Sequence, residues 1–231
     1  ALPREESSFG LMKIHTFTVD PFSENTYLLI EGAEAIVVDP GMSDASEYKT
    51  FDSYLTENGL ELTDCWLTHA HIDHVLGCHH VYEKYDLTPH LHPDDLITLS
   101  YSKRASDMYG VPYTESPTPI LDWTHGKKMK VLNTEVEIRF APGHAPGHVV
   151  FIFPEHRVLI GGDVLFQGSI GRTDLPGGDA DELCKSIMNQ CYSLPDDMIG
   201  YSGHGPKTTI GQEKKSNPFV NSAGSGFLQR K

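Results

Sequence analysis

The segment Thr68-His69-Ala70-His71-Ile72-Asp73-His74 constrains this chain more than any other stretch of it. Four side chains able to bind a metal (His69, His71, Asp73 and His74) fall within six residues, after the apolar run Leu62 to Thr68 and before a helical pattern from Val75 to Tyr85. The cluster therefore sits on a strand-to-helix turn. His69 and His71 are two apart in an extended segment and project to the same side, whereas Asp73 and His74 are adjacent, point differently and suit a second ion. This differs from a helical His-Glu-x-x-His site, where two histidines share one metal at i, i+4 spacing. A competing role for Asp73 is that of N-cap to the following helix.

Three later segments supply matching parts, each at a strand end beside glycine, where a loop can bring backbone close to an ion. Ala141-Pro142-Gly143-His144-Ala145-Pro146-Gly147-His148 follows one strand. Its two histidines are four apart, but Pro146 and the glycines exclude a regular helix between them, so they need not share an ion. Asp163 follows Ile160-Gly161-Gly162, and His204 lies in Tyr201-Ser202-Gly203-His204-Gly205.

Around these segments the pattern alternates strands and helices. Strands are expected at Lys13 to Val19, Asn25 to Ile30, Ala35 to Val38, Leu62 to Thr68, Thr88 to His92 and Met198 to Tyr201. Lys128 to Leu132, Glu135 to Ala141, Val149 to Phe153 and Arg157 to Ile160 read as an antiparallel meander. Helices are expected at Ser43 to Asn58, Val75 to Tyr85, Asp94 to Met108, Asp181 to Tyr192 and Thr208 to Ser216. Strands then a helix, once in each half, predicts an α/β chain of two packed sheets with helices on both outer faces. No linker or repeat divides residues 12–220, which read as one domain. Residues 1–11 are set apart as a tag or flexible N-terminus and residues 221–231 as a loose tail.

Composition removes several function classes. Lys plus Arg total 18 against 32 Asp plus Glu, and this net charge of −14 argues against a nucleic-acid partner. No apolar run approaches the ~20 residues of a membrane-spanning helix, and the N-terminal residues lack a signal-peptide pattern. Cys65, Cys78, Cys184 and Cys191 show no CxxC pairing, as expected in a reducing, cytoplasmic compartment. No feature sets an oligomeric state.

The series HAHIDH, PGHAPGH, GGDVLF and SGHGP resembles the metallo-β-lactamase superfamily, and its order is most similar to short bacterial glyoxalase II-type (hydroxyacylglutathione hydrolase-like) enzymes. The resemblance runs from Met12 to Phe219. It implies a four-layer αββα sandwich of two mixed β-sheets. It assigns His69, His71 and His144 to one metal and Asp73, His74 and His204 to a second, with Asp163 bridging. Imidazole and carboxylate suit two divalent ions, zinc first, with iron(II) or manganese(II) also fitting. Asp73 would in addition orient a metal-bound hydroxide, and His148 would stand behind the ligands. The implied activity is hydrolysis of a small-molecule acyl thioester such as S-lactoylglutathione. Longer glyoxalase II enzymes bind glutathione with a C-terminal helical domain. Here 27 residues follow His204 (231 − 204), which leaves Arg172 and Lys207 as candidate substrate contacts. Two rival readings stand beside this one. Persulfide dioxygenases of the same fold share the first motif and a segment like Gly171-Arg172-Thr173-Asp174, and use one Fe(II). A metal-binding protein without catalysis is the other.

Overall fold

The computed structural model describes residues 12–221, so the expected N-terminal segment 1–11 and all of the expected tail except Asn221 lie outside the described residues. The first sheet has the order β1 (Lys13–Val19), β2 (Glu24–Glu31), β3 (Glu34–Val38) and β4 (Glu61–Trp66). Its first three strands are antiparallel, and β4 joins β3 in parallel after the crossover helix α1 (Ala45–Glu57). Asp44 starts α1 by accepting hydrogen bonds from the Ser46 and Glu47 N–H groups.

Every residue of β2 except the last is buried. The reason is that both of its faces are covered. Tyr27 and Leu29 point into the space between the sheets, while Leu28 and Ile30 pack toward Phe51 and Leu55 of α1.

After β4 come the short helices α2 (Ile72–Val75), α3 (Cys78–Tyr85), α4 (Leu96–Ser100) and α5 (Ser102–Tyr109). The expected helix Val75 to Tyr85 is thus two pieces, because the Gly77 N–H turns to the Pro40 carbonyl at 2.7 Å. The expected helix Asp94 to Met108 is a 3-10 turn, Pro93–Asp95, followed by α4 and α5. The carboxylate of Asp95 in that turn is drawn inward to the backbone of two other segments. Of the strand expected at Thr88 to His92, only isolated bridges at His90 form.

The second sheet contains β5 (Lys128–Val131), β6 (Thr134–Phe140), β7 (Val149–Phe153) and β8 (Val158–Gly162), the antiparallel meander expected from sequence. A small hairpin, β9 (Leu165–Phe166) and β10 (Ser169–Ile170), follows. Next come helix α6 (Ala180–Ser186), which runs into a π turn at Ile187–Cys191, and β11 (Ile199–Ser202), parallel to β8. The edge strand β12 (Thr208–Thr209) takes the first two residues of the last expected helix, which itself is α7 (Ile210–Ser216).

Trp66, Trp123, Phe151 and Phe153 are fully buried between the sheets. The outer face of the second sheet packs Val150, Ile152 and Leu159 on Leu183, Ile187 and Ile210. Four layers, αββα, result. All four cysteines are free. Among the described residues, no helix is long and apolar enough to cross a membrane.

Candidate metal centre

Strand direction brings the motifs together. Because β7 runs antiparallel to both β6 and β8, and β11 runs parallel to β8, the C-terminal ends of β6, β8 and β11 share one edge of the second sheet. His144, Asp163 and His204 follow those three ends. The turn after β4 carries His69 to His74 to the same edge, where the Val149 N–H donates to the Thr68 carbonyl at 2.8 Å. The sheets are also joined directly: the Asn25 N–H donates to the Gly203 carbonyl (2.7 Å), and Glu24 bridges to His204. A β-carbon at Gly203 would lie 2.1 Å from Asp163 Oδ1, so only glycine permits this approach.

One ligand atom from each of His69, His71 and His144 lies within 4.8 Å of the others, and the same holds for Asp73, His74, Asp163 and His204. The seven residues singled out in sequence thus lie together in the structure, and Asp39, His69 and His74 form a third such group. Asp163 Oδ2 stands between the first two groups, 3.4 Å from His144 Nε2 and 3.9 Å from His69 Nε2 on one side. On the other it lies 3.3 Å from His74 Nε2 and 3.4 Å from His204 Nε2.

The second nitrogen of four imidazoles is held by other protein groups. His144 Nδ1 donates to the Arg172 carbonyl (2.7 Å), and His204 Nδ1 donates to the Phe22 carbonyl (3.1 Å). His74 Nδ1 lies 3.0 Å from Asp39 Oδ2. His69 Nδ1 meets Thr68 Oγ1 at 3.0 Å, while that hydroxyl donates to Asp39 (2.7 Å). Each ring therefore turns Nε2 toward the cluster, as metal-bound histidines do, and His144 Nε2 there lies 2.9 Å from His71 Nδ1.

His69 Nε2, His74 Nε2 and Asp163 Oδ1 are buried and make no hydrogen bond. Such orphaned polar atoms cost about 1–3 kcal/mol each, and cations at the cluster would satisfy them. The residues present thus fit a pair of divalent ions. A cavity of about 690 Å³ opens over the cluster and is lined by His71, Asp73, His144, Asp163 and His204, with His69 and His74 buried beneath it.

Comparisons with known proteins agree with this geometry. The sequence model of the metallo-β-lactamase superfamily matches residues 19–204. The chain belongs to the metallo-β-lactamase superfamily. It is 37% identical over 212 residues to the probable metallo-hydrolase YqgX of Bacillus subtilis, covering 91% of this chain and 98% of that one. It is 37% identical over 215 residues to the hydroxyacylglutathione hydrolase GloC of Haemophilus influenzae, covering 91% and 99%. Among solved structures, the BLEG-1 B3 metallo-β-lactamase superposes with a TM-score of 0.82 at 34% identity, covering 90% of this chain and 99% of that one. TTHA1623 in a di-iron-bound form gives 0.80 at 36%, covering 89% and 100%. This superfamily member is thus a metallo-hydrolase, with a His/Asp cluster suited to divalent metal ions.

Electrostatics divide the clustered side chains. Burial pushes His69 well below the usual imidazole range, and burial with the neighbouring His144 takes His71 down to about 3, so both are neutral. Burial alone would raise Asp163, but the His74 charge and hydrogen bonds from His144 and His204 hold it well below the carboxylate range. Burial opposes a charge on His204 too, yet Asp163 and Asp73 raise it to about 10.

Four further placements bear on the expected roles. Asp73 is not an N-cap: His71 occupies that position before α2, and Asp73 lies in the first turn, 3.0 Å from His204 Nε2. His148 joins neither group, but its Nε2 accepts from the Asp163 N–H at 3.1 Å and its ring stacks on His69 at 4.5 Å. Arg172 lines the cavity, but its guanidinium is committed to Asp174 through two contacts of 2.7 Å. Lys207 is not among the cavity's lining residues; its ammonium lies 5.9 Å over the Tyr201 ring.

Two supporting residues escaped the sequence reading. Asp39 holds the Thr68 N–H and hydroxyl and the His74 ring from a left-handed backbone conformation (φ 51°) that a non-glycine residue rarely adopts. Its place in Asp39-Pro40-Gly41, at the end of an apolar strand, was the available signal. Asp95 ties the Ala70 N–H to the Gly147 N–H and carries no local signal at all.

Proposed function

We propose that this chain is a binuclear metallohydrolase that cleaves an acyl thioester, with a glutathione thioester such as S-lactoylglutathione as the reference substrate. The observation that carries the reading is Asp163 Oδ2, which faces imidazoles of both ligand groups within 3.3–3.9 Å. His69, His71 and His144 would hold one ion, Asp73, His74 and His204 the other, and Asp163 both. When bound, divalent ions supply Lewis acidity, lowering the pKa of water toward about 7 and polarising a carbonyl.

The chain's own residues do the remaining work. Asp73, on the cavity side, accepts a hydrogen bond from the attacking water at Oδ2 and orients it toward the thioester carbon. Asp39, Thr68 and the Arg172 and Phe22 carbonyls fix the imidazole rings, so little reorganisation accompanies reaction. A thiolate leaves readily, and no strong general acid is needed. The likeness to GloC at 37% identity supports the thioesterase reading. Convergence of the second group, Asp73, His74 and His204, favours it over a dioxygenase needing two histidines and one carboxylate for a single iron. The cavity above the cluster supports catalysis over a structural site, since structural sites are closed. Zinc is our first assignment, and the free cysteines support a reducing, cytoplasmic setting.

The test is elemental analysis of purified protein together with an activity panel of glutathione thioesters, glutathione persulfide with oxygen uptake, and a β-lactam. We expect two metal equivalents and thiol release from thioesters. Oxygen consumption with persulfide, or β-lactam turnover without thioester turnover, would replace this reading.

A further inference from the structure

The walls of the cavity are chemically unlike its floor. Above the His/Asp cluster, the lining side chains are largely apolar: Phe22, Ala105, Met108 and Tyr109 on one side, Phe166 and Ile170 on the other. Phe22 and Tyr109 meet edge to face at 5.3 Å. Met108 is 68% exposed and Tyr109 42% exposed, a large apolar surface to leave in water beside a reaction centre. Ala105 and Met108 of α5 are three residues apart, Arg104 and Met108 four apart, and all three line the cavity, so one face of this helix presents an apolar strip with a cation on it.

Arg104 differs from the two basic residues suggested by sequence. Among the described residues it makes no ion pair and no side-chain hydrogen bond, whereas Arg172 is tied to Asp174 and Lys207 is outside the cavity lining. In a chain with 14 more acidic than basic residues, an uncommitted guanidinium on the cavity wall is a specific feature. A lactoyl group is small and carries a hydroxyl, so it would leave most of the apolar wall wet.

We propose that the acyl group cleaved here is an extended apolar one, seated against Phe22, Ala105, Met108, Tyr109, Phe166 and Ile170, with Arg104 holding an anionic group of the thiol carrier. This rests on the thioester reading above. The reaction is balanced by water alone: the C–S bond breaks, a C–O bond forms, and the products are a carboxylic acid and a free thiol.

The experiment uses the metal-loaded protein with lactoyl, acetyl, butanoyl and octanoyl thioesters of glutathione, and with the octanoyl thioester of uncharged N-acetylcysteamine. Burying several methylenes should raise kcat/KM from acetyl to octanoyl by about tenfold or more. Met108→Asp should erase most of that rise. Arg104→Gln should raise KM for octanoylglutathione several-fold more than for the N-acetylcysteamine ester. Thermal stabilisation by octanoate but not lactate, lost in Met108→Asp, reads the apolar wall without turnover. A preference for lactoyl or acetyl, or an octanoyl preference that survives Met108→Asp, overturns the proposal. Octanoate binding without turnover of any thioester would instead overturn the thioester reading and leave the apolar wall standing.

Discussion

Replacing Asp95 by alanine should loosen the metal centre without touching a ligand. The Asp95 carboxylate is fully buried and accepts from the Ala70 N–H on one oxygen and from the Gly147 N–H and Thr98 Oγ1, both at 2.9 Å, on the other. Ala70 lies between His69 and His71, and Gly147 lies between His144 and His148. In Asp95→Ala, two backbone N–H groups lose their acceptor where no solvent reaches them, at about 1–3 kcal/mol each. Burial already pushes the Asp95 pKa up, so deleting the carboxylate recovers part of a desolvation cost. The net loss is about 3–5 kcal/mol, roughly a 10–15 °C lower melting temperature for a chain of this size. Thr98→Val, which removes one donor, should cost about 1 kcal/mol. The assays are calorimetric unfolding of the metal-free proteins and metal competition with a chelator. Affinity in Asp95→Ala should fall about 10–100-fold, as for lost supports of metal ligands. The argument fails if Asp95→Ala melts no lower than Thr98→Val and retains the wild-type metal affinity.

Other expectations follow from the same contacts. Asp163→Ala should lose metal and activity together by elemental analysis, whereas His148→Ala should keep most of its metal while unfolding about 2–4 kcal/mol more easily. Gly203→Ala, whose methyl would meet Asp163 Oδ1, should retain its circular dichroism spectrum but bind less than two equivalents of metal. His90 lies 3.1 Å from Asp64 and 2.8 Å from Asp122, and these carboxylates raise its pKa against the opposing effect of burial. Its stabilising contribution is therefore complete below pH 6.5 and disappears as pH rises through the higher folded-state value. Urea unfolding of wild type and His90→Gln should differ more at pH 6 than at pH 9; a gap that grows with pH would contradict this.

The cluster could be located in the sequence because His69, His71, Asp73 and His74 crowd into six residues after an apolar strand, while His144, Asp163 and His204 each follow a strand end beside glycine, and strand direction then collects those three on one edge of the second sheet. The layer order was readable because apolar strands are followed by a helix once in each half, and β7 in particular is apolar on both faces, as a strand covered on both sides must be. Asp95 was not readable, since its partners lie 25 and 52 residues away and the surrounding sequence looks like an ordinary helix start. Arg172 is a different case: sequence reports the cation but not its ion pair with Asp174. The helix break at Gly77 likewise depends on a long-range partner, the Pro40 carbonyl, rather than on local propensity.

The division of the clustered side chains between the sheets has a mechanical consequence. His69, His71, Asp73 and His74 belong to one half of the sandwich, and His144, Asp163 and His204 to the other. An ion held as proposed would span this seam and act as a rivet, and its affinity would measure how closely the halves already fit. Because whatever binds only the assembled state stabilises it by the same coupling, a void cut in the aromatic layer of Trp66, Trp123 and Phe151 should be felt as weaker metal retention. A loaded protein should in turn tolerate core substitutions that the metal-free chain does not.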